Sequence, residues 1–303
     1  MQVSIVSDEI SADLETALEL GIEWGVTHFE LRGYGAQRVP LYSDYQKQRV
    51  KELLEEHECK IAAISPGLFK LPYPANRRER FPLSSIDSVL YQRWHDARSL
   101  VQYQLEELLP ASIEYALEVG TSKIVIFSFE RGAKPSEGIP DEILNTLQTA
   151  AILARKNGVQ LVVEVEHEHW ADSGRHAAQL VQAVADPGLA VNWDPGNAIV
   201  SGEQPYPEGY ACVRDHVRHV HFKDVVYSRE TGFQYRVAGM IDWAGQLQAL
   251  AADGYSGYVS VEPHMRPKVA SVRAAVERLL HLIREIPDNL SFENKIAAHE
   301  RGE

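Results

Sequence analysis

The chain has 303 residues, 45% of them hydrophobic, and carries a formal charge of −13 with a pI near 5.4. That length fits one large α/β domain or two smaller ones, and the hydrophobic content supports a sizeable core. An acidic surface repels phosphate backbones, which argues against nucleic acid as a partner but not against a small phosphorylated substrate.

Short β-branched or apolar runs alternate with stretches of helical spacing. From the N-terminus, a strand over Val3–Ser7 precedes a helix over Asp13–Trp24, and a strand over His28–Leu31 precedes a helix over Asp44–Glu56. The third strand, Lys60–Ser65, is followed by a long irregular segment from Leu71 to about Ser99. A connection of that length is uncommon without a role, and it reads as a lid or active-site loop, with an oligomer contact or a decorated loop as the alternative. A helix over Leu105–Glu118, a strand over Lys123–Ser128, a helix over Glu142–Lys156 and a strand over Gln160–Glu166 come next. A helix over Gly174–Ala185, a strand over Ala190–Asp194, a short connection near Pro207–Asp215 and a strand over His219–Lys223 continue the pattern. It closes with a helix over Trp243–Ala252, a strand over Tyr258–Glu262 and a helix over Lys268–Ile286. Eight strands alternating with eight connections predict a (β/α)8 barrel over residues 1–287, as a single domain. Gly120, Gly158, Gly188 and Gly254 each stand shortly before a strand, where helix C-cap glycines are expected. Residues 288–303 form a polar C-terminal tail.

Side chains alternate faces along a strand, so parity shows what points inward. In the fifth strand Leu161, Val163 and Val165 oppose Glu164 and Glu166; in the sixth, Val191 and Trp193 oppose Asn192 and Asp194. In the seventh, Val220 and Phe222 oppose His219 and His221; in the eighth, Val259 and Val261 oppose Ser260, Glu262 and His264. The split is imperfect at the strand starts, where Val162 falls on the Glu164 face and Arg218 on the Val220 face. The apolar sets suit outer helices, leaving acids and imidazoles inside a barrel that apolar side chains normally fill. Such groups are costly there unless paired or bound to metal. Any one of them has a plain alternative, such as a hydrogen-bonded core histidine or a Glu paired with a cation. Together they suit a divalent ion. Parity alone does not choose Glu164 over Glu166, or His221 over His219.

The motifs E-x-E-H, NWDPGN, HVHFKD and SVEPH resemble those of the xylose isomerase-like TIM-barrel superfamily, whose members include sugar and sugar-phosphate isomerases and epimerases. FELR at Phe29–Arg32 and SPGLFK at Ser65–Lys70 are also similar to strings in that group. The resemblance implies Glu164, Asp194, His221 and Glu262 as ligands of one divalent metal ion (Mn, Mg, Co or Zn). It also implies Glu164 and Glu262 as the acid/base pair, moving a proton next to a carbonyl through an enediolate. Asn197 and Arg236 match positions that support the site in the family. His167, Asn197, Lys223 and Arg236 are candidates for binding substrate hydroxyls or a phosphate, and Trp170 for covering the substrate's apolar face. Trp170 has a packed loop residue as its alternative, and Lys223 a structural pair with Asp224.

The expected function is therefore isomerisation or epimerisation of a sugar, sugar phosphate or related keto-polyol. Dehydration of a keto-polyol, of the inosose or dehydroshikimate type, is the alternative. Epimerases of the group often carry Gly-Glu-Gly before the seventh helix, where this chain reads Val237-Ala238-Gly239-Met240. Two remoter readings are an AP endonuclease, whose pattern has His where this chain has Asn197, and a non-catalytic sugar-binding protein. Family members are often dimers or tetramers, so the resemblance extends a homo-oligomer to this chain as an expectation. Two cysteines, Cys59 and Cys212, fit reduced thiols in a cytoplasmic protein. The start, MQVSIVSDEIS, lacks a basic n-region and does not read as a signal peptide. No apolar run approaches the roughly 20 residues that span a membrane.

Overall fold

The computed structural model describes residues 1–72, 97–131 and 138–287. Most of the expected lid segment and the whole C-terminal tail lie outside the described residues. Eight parallel strands close into a barrel: β1 (Gln2–Val6), β2 (His28–Leu31), β3 (Lys60–Ile64), β4 (Lys123–Ile126), β5 (Gln160–Glu164), β6 (Leu189–Trp193), β7 (Val217–Phe222) and β8 (Tyr258–Val261). Each strand pairs with its neighbours in sequence, and β8 returns to β1. The expected (β/α)8 architecture is the observed one. No described helix is long and apolar enough to cross a membrane.

Strand parity explains the layering. Ile124, Ile126, Val163, Val191, Val220 and Val261 join the large apolar layer between strands and outer helices. Val162 belongs with Ala63, Val125 and Ala190 in a second, separate apolar cluster. All four sit on the inward parity of β3 to β6, so one side of the barrel interior is filled by small apolar groups. The remaining interior is polar. Ser4 and Ser260 stand opposite each other in the β1–β8 register and share a hydrogen bond. Glu30, Asn192 and His219 are fully buried beside them.

Two short antiparallel hairpins decorate the barrel, Gly33–Tyr34 with Gln37–Arg38 and Asp224–Ser228 with Gly232–Arg236. Neither was anticipated from the sequence. The sixth connection divides into Pro195–Val200, Pro205–Gly209, Tyr210–Val213 and Arg214–His216. Pro205, Pro207 and Gly209 account for the breaks, because proline removes a helix donor and glycine disfavours helix interiors.

The helix stops also resolve. Gly120, Gly158 and Gly254 have φ of 78°, 76° and 77°, as glycines ending a helix should. Gly188 does not. Ala185 is the left-handed C-cap of that helix, and a Cβ on Gly188 would lie 2.3 Å from the Ala151 carbonyl oxygen. Close approach of two backbones, not a cap, requires this glycine. Gly188→Ala is expected to destabilise the fold by about 1–3 kcal/mol through overpacking. A denaturant midpoint unchanged from wild type would contradict that reading.

Candidate functional site

The carboxyl ends of β5 to β8 deliver four side chains to one point. Glu164 ends β5, Asp194 follows β6, His221 sits in β7 and Glu262 follows β8. One ligand atom from each lies within 4.8 Å of all the others. All four side chains are buried. The cluster therefore brings together the four residues singled out as a metal set.

His221 is the centre of this arrangement. Its Nδ1 stands 3.4 Å from Glu164, 3.3 Å from Glu262 and 3.8 Å from Asp194. Its Nε2 lies 3.2 Å from Glu30 Oε2. An ionised carboxylate only accepts, so Nε2 donates that bond. In a neutral ring, Nδ1 is then left as a lone pair facing three carboxylates. Burial works against a charged ring, but the charges of Glu30, Glu164 and Glu262 push His221 well above the usual histidine range. His221 Nδ1 makes no well-aligned hydrogen bond among the described residues, whereas Asp194 Oδ2 is 2.7 Å from the Lys223 ammonium. A buried imidazole nitrogen in that state, facing three carboxylates, suits a divalent cation.

Each acid is held from behind. Asp194 caps the helix Pro195–Val200, its Oδ1 accepting from Asn197 N at 2.9 Å. Burial, opposed by Lys223, pushes Asp194 up to about 6. Asn197 Nδ2 donates to the Val165 carbonyl at 3.0 Å and lies 3.4 Å from Glu164 Oε1. Lys223 Nζ, fully buried, stands 2.7 Å from Asp194 and 3.0 Å from Glu262. Lys223 thus serves the cluster and does not pair with Asp224. Asp224 meets Arg278 at 2.9 Å and accepts from the backbone nitrogens of Val225 and Ile241.

Glu262 is the most heavily cation-bound acid. Arg32 and His264 join Lys223 around it. Burial would raise its carboxyl, yet His264, Lys223 and His221 hold it well below the usual range. His264 has a left-handed backbone, φ 51°, and Glu9 fixes it there by accepting from its backbone N at 3.1 Å and approaching Nδ1 at 3.0 Å. Arg32 also bridges Glu9 and Asp8.

The ambiguous neighbours separate clearly. Glu166 turns to Lys70 at 2.8 Å and His167 at 2.9 Å. His219 lies deeper, its Nε2 2.8 Å from Glu30 and 3.0 Å from Ser260 Oγ. His167 is partly exposed. Trp170 is half-buried and packed against the core. Arg236 is exposed on the second hairpin and spends its donors on Tyr235 O and Gln234; the structure does not bring it to the four-residue cluster.

Glu30 is the residue that reading the motifs missed. It joins His219, His221 and Ser65. The signal was available, because a lone acid between Phe29 and Leu31 in a buried strand has the same inward parity as Glu164. A carboxylate behind a metal-facing histidine fixes the ring's tautomer and direction. Glu30→Gln is expected to weaken divalent-metal binding by about 10–100-fold while leaving the fold intact. Metal competition titration beside a thermal melt checks this; wild-type affinity would contradict it.

Comparison with known proteins gives a consistent setting. A family model described as xylose isomerase-like TIM barrel matches residues 18–285. An inosose dehydratase of Lacticaseibacillus casei is 27% identical over 137 residues, a match spanning 39% of this chain and 45% of that protein. Among solved structures, a xylose isomerase domain protein from Planctomyces limnophilus superimposes with a TM-score of 0.70 at 20% identity, covering 94% of this chain and 98% of that one. The D-allulose 3-epimerase of Methylomonas sp., solved with D-allulose, gives 0.65 at 14% identity, covering 93% and 96%.

Proposed function

The chain belongs to the xylose isomerase-like TIM-barrel family, and on that premise we propose that it is a divalent-metal-dependent isomerase or epimerase. Its proposed substrate is a sugar, sugar phosphate or related keto-polyol. The observation that carries this reading is the convergence of Glu164, Asp194, His221 and Glu262, with the buried His221 Nδ1 facing three carboxylates and left without a well-aligned hydrogen bond. A cation held by these four would polarise the carbonyl beside the carbon that loses its proton. Carboxylate and imidazole donors admit Mn, Mg, Co or Zn.

The chain's own groups are proposed to handle the proton. Glu164 and Glu262 reach the cluster from β5 and β8, with β6 and β7 between them. They therefore approach a substrate from different sides, as a two-base transfer needs. Their settings differ: Glu262 is ringed by Arg32, Lys223 and His264, whereas Glu164 meets the neutral amide of Asn197. That asymmetry suits one residue taking the proton while the other returns it. Asn197 and Lys223 position these acids and are within reach of a substrate hydroxyl. His167, partly exposed, is proposed to bind a hydroxyl or phosphate. Arg236 and Trp170 are proposed as outer contacts of the same substrate.

The inosose dehydratase match favours a second reading, in which enolisation is followed by loss of a hydroxyl. The absence of a carboxylate at Val237-Ala238-Gly239-Met240 is compatible with it.

Metal-loaded protein, offered ketoses and keto-inositols in deuterated water and followed by NMR, distinguishes the two. Solvent deuterium in an intact sugar is the expected result, and an unsaturated product would establish the dehydratase instead. Glu262→Gln is expected to lower turnover by about 10²–10⁴-fold, the usual contribution of a general acid or base. Turnover unaffected by that substitution would contradict the assigned role.

A further inference from the structure

At the end of the barrel opposite the carboxylate cluster, a cavity of about 270 Å³ opens among the strand starts. Lys123 begins β4, Arg218 lies near the start of β7, and Arg214 belongs to the turn before it. All three line the cavity, and Asp253 is the carboxylate among its described lining residues.

These cations have little close counter-charge. Lys123 makes no ion pair among the described residues, and its ammonium lies 5.8 Å from the centroid of the Tyr258 ring. Arg218 Nη1 donates to the backbone carbonyls of Asp215 at 3.1 Å and Val217 at 2.8 Å. Those bonds fix the guanidinium without neutralising it. Arg214 reaches Asp215 and Asp253 only at 3.9 and 4.0 Å, and Asp253 already accepts from Tyr210 at 3.0 Å. Burial and the Arg218 charge both lower the proton affinity of Lys123.

In a chain of net charge −13, three cations gathered around one cavity repel each other, and a bound anion would relieve that repulsion. The amino end of such a barrel ordinarily carries residues that serve stability. Like charges so weakly neutralised do not serve it.

We propose that this cavity is an anion site, separate from the carboxylate cluster, that takes the phosphate group of a small metabolite. Its volume falls just below the roughly 300–1,000 Å³ typical of small-molecule sites, so the ligand is compact. Two guanidinium forks and an ammonium match the several oxygens of a phosphate. The acidic remainder of the surface opposes an extended polyanion.

Calorimetric titration of inorganic phosphate into metal-loaded protein tests the site. Wild type is expected to bind. Lys123→Gln and Arg218→Gln are each expected to weaken binding by about tenfold or more, the loss of one charged hydrogen bond. Lys123→Arg should restore it, and Asp194→Ala, compared with wild type without added metal, should bind phosphate as wild type does, with thermal melts confirming that each variant folds. Three results would overturn the proposal: no binding to wild type, wild-type affinity in both Gln variants, or loss of binding in Asp194→Ala but not in Arg218→Gln. The last would place the anion at the carboxylate cluster. None depends on the isomerase reading.

Discussion

One imidazole organises the interior of this barrel. His221 donates from Nε2 to Glu30 and turns Nδ1 toward Glu164, Asp194 and Glu262. Its two nitrogens thus face acids on both sides, deep within the protein. Isolated buried charges cost several kcal/mol each unless compensated. The surrounding structure supplies that compensation in layers. Lys223 holds Asp194 and Glu262, Arg32 and His264 hold Glu262, and Glu9 holds both Arg32 and His264. A cation among the four donors would complete the pattern, and the unpartnered His221 nitrogen marks where it fits.

This constraint explains an otherwise odd interior. Barrel cores of this size are normally filled by branched apolar side chains. Here Ala63, Val125, Val162 and Ala190 fill only one side. The other side holds Ser4, Glu30, His219 and Ser260, joined in one hydrogen-bonded chain. That chain ends on the same Glu30 oxygen that receives His221. The polar half of the core supports the cluster from below, at the expense of apolar packing.

Much of this was legible in the sequence, because β-strand periodicity is strong where one face meets helices and the other faces inward. All eight strands were found, and parity placed Glu164, Asp194, His221 and Glu262 inward. Parity could not separate Glu164 from Glu166 or His221 from His219, since residues two apart share a face. Depth along the strand separates them, and that is a property of the closed barrel. Glu30 carries the same parity signal, but only as a lone acid within Phe29–Arg32, with no second inward acid on its strand to mark it. Arg32, Glu9 and His264 were not legible as a group, because their contact joins the two ends of the chain. Gly188 stands where a helix cap is expected, but its cause is a neighbouring carbonyl, a contact made between elements. The sixth connection was obscured by its prolines, which divide it into pieces too short for periodicity to show.

The metal content of the purified protein tests the central claim most directly, measured by mass spectrometry after extensive dialysis, for wild type and Asp194→Ala side by side. About one tightly held divalent ion per wild-type chain is predicted, with loss of most of it in the variant as one of four ligands is removed. A wild-type chain that binds no divalent ion, or an Asp194→Ala chain that keeps the wild-type content, would contradict the assignment of this cluster as a metal centre.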